Sequence, residues 1–179
     1  GTLNNPNDTD KFWSVEMAIP REAITLSFNN LLQAGNVWRI NFSRVQWLKK
    51  PEENWVWNAT GRIDMHMPDR WGFLYLSDKT VGQGTDEFKY PYNMAAYKLV
   101  WAMFYAQQDF YSKEKRYLRE KESFFLTDAE LAGLPAGAEI SVEATTHAFR
   151  VAVSVPEENV RYVVDHLSKF TREPLSTQK

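Results

Sequence analysis

The sequence predicts a mostly β region followed by a small α+β unit that contains one long helix. Short runs before residue 80 alternate apolar and polar side chains, which is the period of strands. The following stretch, VGQGTDE, carries two glycines and no packing pattern, whereas residues 93–112 lack proline and glycine and have helical spacing. We therefore expect a β domain at 1–80, a linker at 81–91, an α+β unit at 92–167 and a flexible tail at 168–179.

The first predicted strand covers residues 12–19 (FWSVEMAI), where the alternation is typical of a half-buried strand. Pro20 ends this strand, and residues 20–24 predict a short helical turn with proline near its start. One face of the strand carries four apolar residues, Trp13, Val15, Met17 and Ile19.

Three further strands are predicted at 37–48, 55–57 and 71–76. The first of them is long and has a polar face, and a charged turn (KKPEEN, 49–54) separates it from the second. Along the long strand, Trp38, Ile40 and Phe42 oppose Arg39, Asn41 and Ser43.

The α+β unit begins with the helix at 93–112, for which Asn93 is a good N-cap residue. Large apolar side chains lie along two stripes of this helix, so we expect it to be buried on more than one side. The stretch TDAE at 127–130 is a capping box and predicts a short helix. Three short strands follow at 139–143, 148–155 and 160–164.

Composition argues against several classes of function. The net charge is −2 and the Lys and Arg residues are scattered, so no electrostatic surface for nucleic acid is expected. The chain has no cysteine, which excludes disulfides, thiolate metal sites and a cysteine nucleophile. The most apolar run, 94–106, is interrupted by Lys98 and is shorter than the roughly 20 residues of a membrane-spanning helix, so no membrane span is expected.

Three linked blocks, WSVEMAIP, WRINFSRVQW and ENWVWNATGRIDMHMPDRWGFLYLSD, resemble the C-terminal half of family 9-like carbohydrate-binding domains of secreted bacterial proteins. The resemblance covers about residues 10–78. It implies an antiparallel β-sandwich that binds sugars without catalysis, by aromatic stacking and side-chain hydrogen bonds, sometimes with structural calcium. It also implies export, to the periplasm, the outer membrane or the medium, as part of a polysaccharide-processing system.

The sandwich is incomplete in this chain, because the N-terminal half that the family has is absent. Half a sandwich would expose sheet edges and an apolar face, which is unfavourable in water. We therefore expect the missing strands to come from another polypeptide. The later stretch YAQQDFYSKEKRY looks like part of the globular domain of pilin-like proteins, which fits an α+β unit.

The stretch ENWVWN predicts the binding site, because alternation on a strand puts both tryptophans on one face. An aromatic ring suits the C–H-rich face of a sugar, and amides and guanidinium groups can bond sugar hydroxyls. We predict stacking of a polysaccharide or oligosaccharide on Trp55 and Trp57, with Asn58 and Arg39 as hydrogen-bonding partners. The alternative is a structural or assembly domain that keeps the sandwich without sugar binding, with all seven tryptophans in a core or an interface. The exposure of the rings decides between a binding platform and a core.

Two other kinds of site were considered. The stretch IDMHMPD offers Asp64, His66 and Asp69 as metal ligands, although residues of these types often form turns. A structural calcium ion would need several converging oxygens, to which Asp8, Asp10 or Asp64 could contribute. No metal ligand is assigned and no other cofactor is expected.

A glycoside hydrolase is the remaining alternative. It would use two carboxyl groups facing each other across a cleft. The carboxylates weighed for that role are Glu16, Glu52, Glu53 and Asp64. Carboxylates are too common for their presence to be evidence of a glycosidase. The sequence also contains no nucleophile elbow or phosphate-binding glycine loop, so we prefer a protein without catalytic activity.

Overall fold

The structure, a computed structural model, shows a mixed α+β fold built on antiparallel sheets. Strand and helix each make up about a quarter of the described residues, 25% and 24%, so the prediction of a mostly β protein holds only for the antiparallel sheets. The described residues are 1–2, 4–9, 11–24, 32–46 and 53–175.

Within these residues there are three α-helices and eight strands. The helices are α1 (Arg21–Ile24), α2 (Met94–Glu114) and α3 (Asp128–Leu131). The strands are β1 (Val37–Ile40), β2 (Ser43–Gln46), β3 (Glu53–Val56), β4 (Gly72–Tyr75), β5 (Glu139–Ala144), β6 (Phe149–Val155), β7 (Val160–Asp165) and β8 (Phe170–Pro174). Residues divide into two compact units, the first made of 1–40 and 73–86 and the second of 41–72 and 87–179.

The first unit contains α1 and a two-stranded sheet of β1 and β4. The backbone ladder continues past β4, since Gly35 N–H donates to Leu76 O (2.8 Å) and Leu76 N–H donates to Asn36 O (2.9 Å). Helix α1 confirms the helical turn predicted after Pro20. Strand β4 likewise confirms the strand predicted at 71–76.

The strand predicted at 12–19 is wrong. These residues have no strand assignment, and the side chains of Val15, Met17 and Ile19 are 62%, 66% and 57% exposed. A period of two is necessary for a half-buried strand, but the backbone groups also need a neighbouring strand to bond with. Here the alternation is present and the neighbouring strand is not among the described residues.

The long strand predicted at 37–48 is divided between two sheets. Strand β1 pairs with β4, whereas β2 pairs with β3. The interruption lies at Asn41, whose side-chain oxygen accepts from the backbone N–H groups of Phe42 (3.1 Å) and Asn58 (2.9 Å). An asparagine side chain that binds backbone groups replaces ladder bonds and so breaks a strand. Residues 47–48 and most of the predicted turn at 49–54 lie outside the described residues.

Helix α2 confirms the predicted long helix and its N-cap. The Asn93 side chain accepts from Ala96 N–H (3.2 Å), and the helix ends at Lys115 in a left-handed conformation. Helix α3 likewise begins with the predicted capping box, in which Thr127 and Glu130 exchange hydrogen bonds. The burial of α2 on more than one side is also confirmed, since its buried residues include Ala96, Tyr97, Leu99, Val100, Trp101, Met103, Phe104 and Gln107.

Helix α2 packs on the four-stranded antiparallel sheet, whose order is β5-β6-β7-β8. Three of these strands were predicted within one or two residues of their observed bounds. Their inward residues and those of α2 form one hydrophobic core, which includes Leu99, Val100, Met103, Phe149, Val151, Val153, Tyr162 and Val164. This core is the main source of stability for the second unit.

The prediction of a flexible tail from 168 onward is wrong for residues 170–174, which form β8 and pair with β7. Two side chains of β8 explain why it is ordered. Phe170 packs on the core, with its ring centroid 5.1 Å from that of Tyr97, and Glu173 accepts hydrogen bonds from Arg150 (2.6 Å) and Arg161 (3.1 Å). Residues 176–179 lie outside the described residues. Among the described helices, none is long and apolar enough to cross a membrane.

Candidate functional site

The pairing of β2 with β3 brings four large side chains to one face of the ladder. Arg44 lies directly opposite Trp55, and the next pair along is Phe42 with Trp57, whose N–H donates to Phe42 O (2.8 Å). Because side chains alternate along both strands, these four residues share a face. We call this surface, made of Phe42, Arg44, Trp55 and Trp57, the tryptophan face.

The aromatic side chains of the tryptophan face are exposed. Trp55 is 52% exposed, Trp57 is 60% exposed and Phe42 is 54% exposed. Buried tryptophans elsewhere in the same unit are far less accessible, since Trp101 is 7% exposed. These two tryptophans therefore do not lie in a core.

Trp57 is held in place on two sides. A Cβ atom at Gly72 would lie 2.8 Å from Cη2 of the Trp57 ring, so the ring can rest on the backbone only because residue 72 is glycine. The Phe42 ring meets it edge to face, with centroids 5.9 Å apart and planes at 67°. These contacts fix the orientation of a ring that remains open to solvent.

Trp55 is oriented by a cation–π contact. The guanidinium carbon of Arg44 lies 4.8 Å from the centroid of the Trp55 ring. A guanidinium group stacked on an aromatic ring restricts the orientation of both side chains. The tryptophan face therefore combines flat apolar rings with a polar group of fixed position.

The other two predicted site residues have different surroundings. The Asn58 amide nitrogen donates to Arg70 O (2.6 Å), and the Asn58 backbone exchanges two hydrogen bonds with the Asn41 side chain, each of 2.9 Å. These bonds give Asn58 a part in holding the backbone beside the tryptophan face. Arg39 belongs to the first unit, where its guanidinium carbon lies 3.7 Å from the centroid of the Phe73 ring.

The residues considered as metal ligands serve as turn and packing groups. His66 N–H donates to Asp64 Oδ1 (2.8 Å), whereas Asp69 Oδ1 accepts from the Tyr105 hydroxyl (2.7 Å). The Asp8 carboxylate accepts from the backbone N–H of Thr2 (2.6 Å). Within the described ranges, no group of three or more His, Asp or Glu side chains converges on a point that could hold a metal ion.

Two of the weighed carboxylates, Asp10 for calcium and Glu52 for a glycosidase, lie outside the described residues. Glu16 and Asp64 are exposed and Glu53 is partly buried.

Sequence reasoning missed Phe42 and Arg44 as members of the site. It placed Phe42 on the apolar face of one long strand and gave Arg44 no role. The missing information was the register between β2 and β3, which a single strand does not contain. The only signal in the sequence was the spacing of Phe42 and Arg44, which lie two residues apart and therefore on the same face of a strand.

Comparisons with protein-family models, curated proteins and solved structures find no match for the chain.

Proposed function

We propose that the protein binds carbohydrate without catalysis, through the tryptophan face, as part of an exported bacterial polysaccharide-processing protein. The observation that carries the proposal is the exposure of Trp55, on β3, and of Trp57, which directly follows the last residue of β3. Soluble proteins gain free energy by burying such rings, so two half-exposed tryptophans side by side indicate a surface kept for a ligand.

The chemistry of the face suits a sugar chain better than a single sugar end. Residues two apart on a strand are separated by about 7 Å, so the two rings can stack with neighbouring units of one chain. The Arg44 guanidinium, whose carbon lies 4.8 Å from the centroid of the Trp55 ring, adds a polar group beside the rings. The ligand class that fits is a neutral oligosaccharide or polysaccharide bound along its length.

Affinity electrophoresis against a panel of soluble polysaccharides, followed by calorimetry with the matching oligosaccharide, tests the proposal. Trp55→Ala and Trp57→Ala are each expected to weaken binding about tenfold or more, because each removes a stacking surface. Phe125→Ala is the matched control, since Phe125 is an exposed ring (87%) that is not on the tryptophan face. Absence of binding across the panel, or wild-type affinity in both tryptophan variants, contradicts the proposal.

The finer architecture that we propose for the β region is an antiparallel sandwich completed by strands of another polypeptide. The exposed apolar side chains of Val15, Met17 and Ile19 support it, because a neighbouring strand and a covering layer would bury them. This arrangement also fits the alternative function, an assembly domain without sugar binding. In a native mass spectrum of the protein from its natural source, the mass is expected to exceed that of its own single polypeptide, and a folded monomer contradicts the arrangement.

A further inference from the structure

The second unit contains a cleft of about 680 Å³ that the tryptophan face does not use. Its walls are the loop at 60–62, the 3₁₀ turn Pro68–Arg70 and the faces of α2 and α3 beside them. A volume of this size matches the clefts that bind small ligands in proteins, which are about 300–1,000 Å³. The cleft therefore has room for one or two sugar rings.

The floor of the cleft is apolar and shallow. Small side chains form it. They are Ala95, Ala102 and Ala106 of α2 and Ala129 of α3. Alanine side chains project little from the helix, so a flat ligand can lie directly on them. A pyranose ring, with its C–H-rich face, is a ligand of this shape.

The acidic groups that line the cleft already have partners. Asp109 forms an ion pair with Arg62 through two hydrogen bonds, which also raises the pKa of Arg62. Glu130 Oε2 accepts from the backbone N–H and the hydroxyl of Thr127, at 2.8 Å each. The Asp109 charge is thus neutralised by Arg62, and the Glu130 carboxylate is engaged in the capping box of α3.

Two cationic groups, Arg70 and Lys98, also line the cleft. Neither Arg70 nor Lys98 donates a side-chain hydrogen bond to any residue in the described part of the chain. Arg70 forms an ion pair with Asp69, in which Nε and Oδ2 are 3.6 Å apart and both atoms are buried, so the donors that Arg70 can offer to the cleft are its terminal nitrogens. Two cations with unused donors therefore face one cleft.

Contacts with Asp69 and Tyr105 fix the position of Arg70. The Asp69 side chain is 8% exposed and accepts from the Tyr105 hydroxyl (2.7 Å), while the Arg70 guanidinium carbon lies 5.3 Å from the centroid of the Tyr105 ring. Burial and the neighbouring Asp69 carboxylate raise the pKa of Tyr105, so its hydroxyl remains a donor. Arg70 is therefore oriented before any ligand arrives, which lowers the entropy cost of binding.

We propose that this cleft is a second binding site, which takes an acidic sugar carrying one carboxylate or phosphate group. The Arg70 fork and the Lys98 ammonium bind the acidic group, because guanidinium and ammonium groups form charge-assisted hydrogen bonds with such oxyanions. The ring lies on the alanine floor. Both kinds of acidic sugar present the same anionic oxygens, and the experiment below distinguishes them.

Isothermal titration calorimetry tests the site with four probes: glucuronate, glucose 6-phosphate, glucose and inorganic phosphate. We expect at least one acidic sugar to bind and glucose to bind at least tenfold more weakly. Lys98→Gln and Arg70→Gln are each expected to reduce the affinity tenfold or more. Lys98 is exposed and makes no contact that the fold needs, so its variant keeps the test valid if Arg70→Gln fails to fold.

Two control variants separate this site from general effects. Lys113→Gln removes an exposed lysine of the same helix outside the cleft and is expected to leave the affinity unchanged. Trp57→Ala is also expected to leave the affinity for the acidic sugar unchanged. The test of the cleft is therefore independent of whether the tryptophan face binds a sugar. The proposal is overturned if neither acidic sugar binds, if only inorganic phosphate binds, if glucose binds equally well, or if Lys98→Gln has wild-type affinity.

Discussion

Two parts of the second unit are rich in aromatic residues, but the rings are buried in one part and exposed in the other. In the core between α2 and the four-stranded sheet, Trp101 contacts the rings of Tyr97, Phe104 and Phe170 at centroid distances of 5.3–6.4 Å. On the tryptophan face, Trp57 contacts one ring, that of Phe42. Trp101 is 7% exposed and Trp57 is 60% exposed.

The difference teaches that the covering layer, and not the aromatic content, decides the role of a ring. Helix α2 supplies a layer over the sheet of β5 to β8, so the rings between them form a core. Among the described residues the ladder of β2 and β3 has two strands, and the rings of its tryptophan face are more than half exposed. Rings of the first kind stabilise the fold, whereas rings of the second kind are available to a ligand.

The largest expected effect concerns the core. Leu99→Ala is expected to lower the free energy of unfolding by about 2–5 kcal/mol, because Leu99 is 1% exposed and its removal leaves a cavity. Trp55→Ala, on the exposed face, is expected to cost less than about 1 kcal/mol. Urea unfolding followed by circular dichroism measures both. Equal losses in the two variants would break the comparison.

A smaller effect is expected where the tryptophan face meets its support. Gly72→Ala places a methyl group against the Trp57 ring and should displace it, at a cost of about 1–3 kcal/mol in stability. Sugar binding should weaken as well, because the ring leaves its orientation. Gly82→Ala would be an unsuitable control, since Gly82 has a φ of +84° and would be strained. Unfolding and glycan titration of G72A, with Trp57→Ala as the reference for loss of the ring, check this prediction.

The smallest effect is expected on the outer face of the four-stranded sheet, where Glu173 binds Arg150 and Arg161. Burial alone would raise the pKa of Glu173, but hydrogen bonds from Arg161 and Thr171 and the arginine charges lower it below its usual 4.5. A lowered pKa in the folded state adds stability that is complete above pH 4.5 and is lost as the pH falls through the folded-state value.

Glu173→Gln is therefore expected to cost up to about 1 kcal/mol at neutral pH, the range of partly exposed ion pairs. The cost should disappear as the pH falls well below 4.5. Unfolding experiments on both proteins across the acid range measure the difference. A constant difference at every pH would show that the Glu173 charge has no part in it.

The α+β unit could be predicted from sequence because its signals are local. The Asn93 cap, the capping box at 127–130 and the alternation along 149–155 each depend on residues within one element, and all are confirmed. Strand β8 was missed because its polar composition resembles a tail. Its order comes from Phe170 in the core and from ion pairs with two other strands.

The β region was harder to predict because its signals are not local. The run 12–19 has the period of a strand without a strand neighbour among the described residues, and the run 37–48 is broken by hydrogen bonds between Asn41 and residues as distant as Asn58. The same limit applies to the sites. Trp55 and Trp57 could be found from their spacing, but Arg44 required the register, and the Arg62–Asp109 pair joins residues 47 positions apart.

The exposure of Trp55 and Trp57 in solution tests the account most directly. Labelling with 5-fluorotryptophan gives each of the seven tryptophans a fluorine resonance, which single Trp→Phe variants assign. The account predicts large H2O/D2O isotope shifts for Trp55 and Trp57, a small one for Trp101, and perturbation of the first two resonances by a bound oligosaccharide. Isotope shifts at Trp55 and Trp57 as small as that of Trp101, with no response to any glycan, would contradict it.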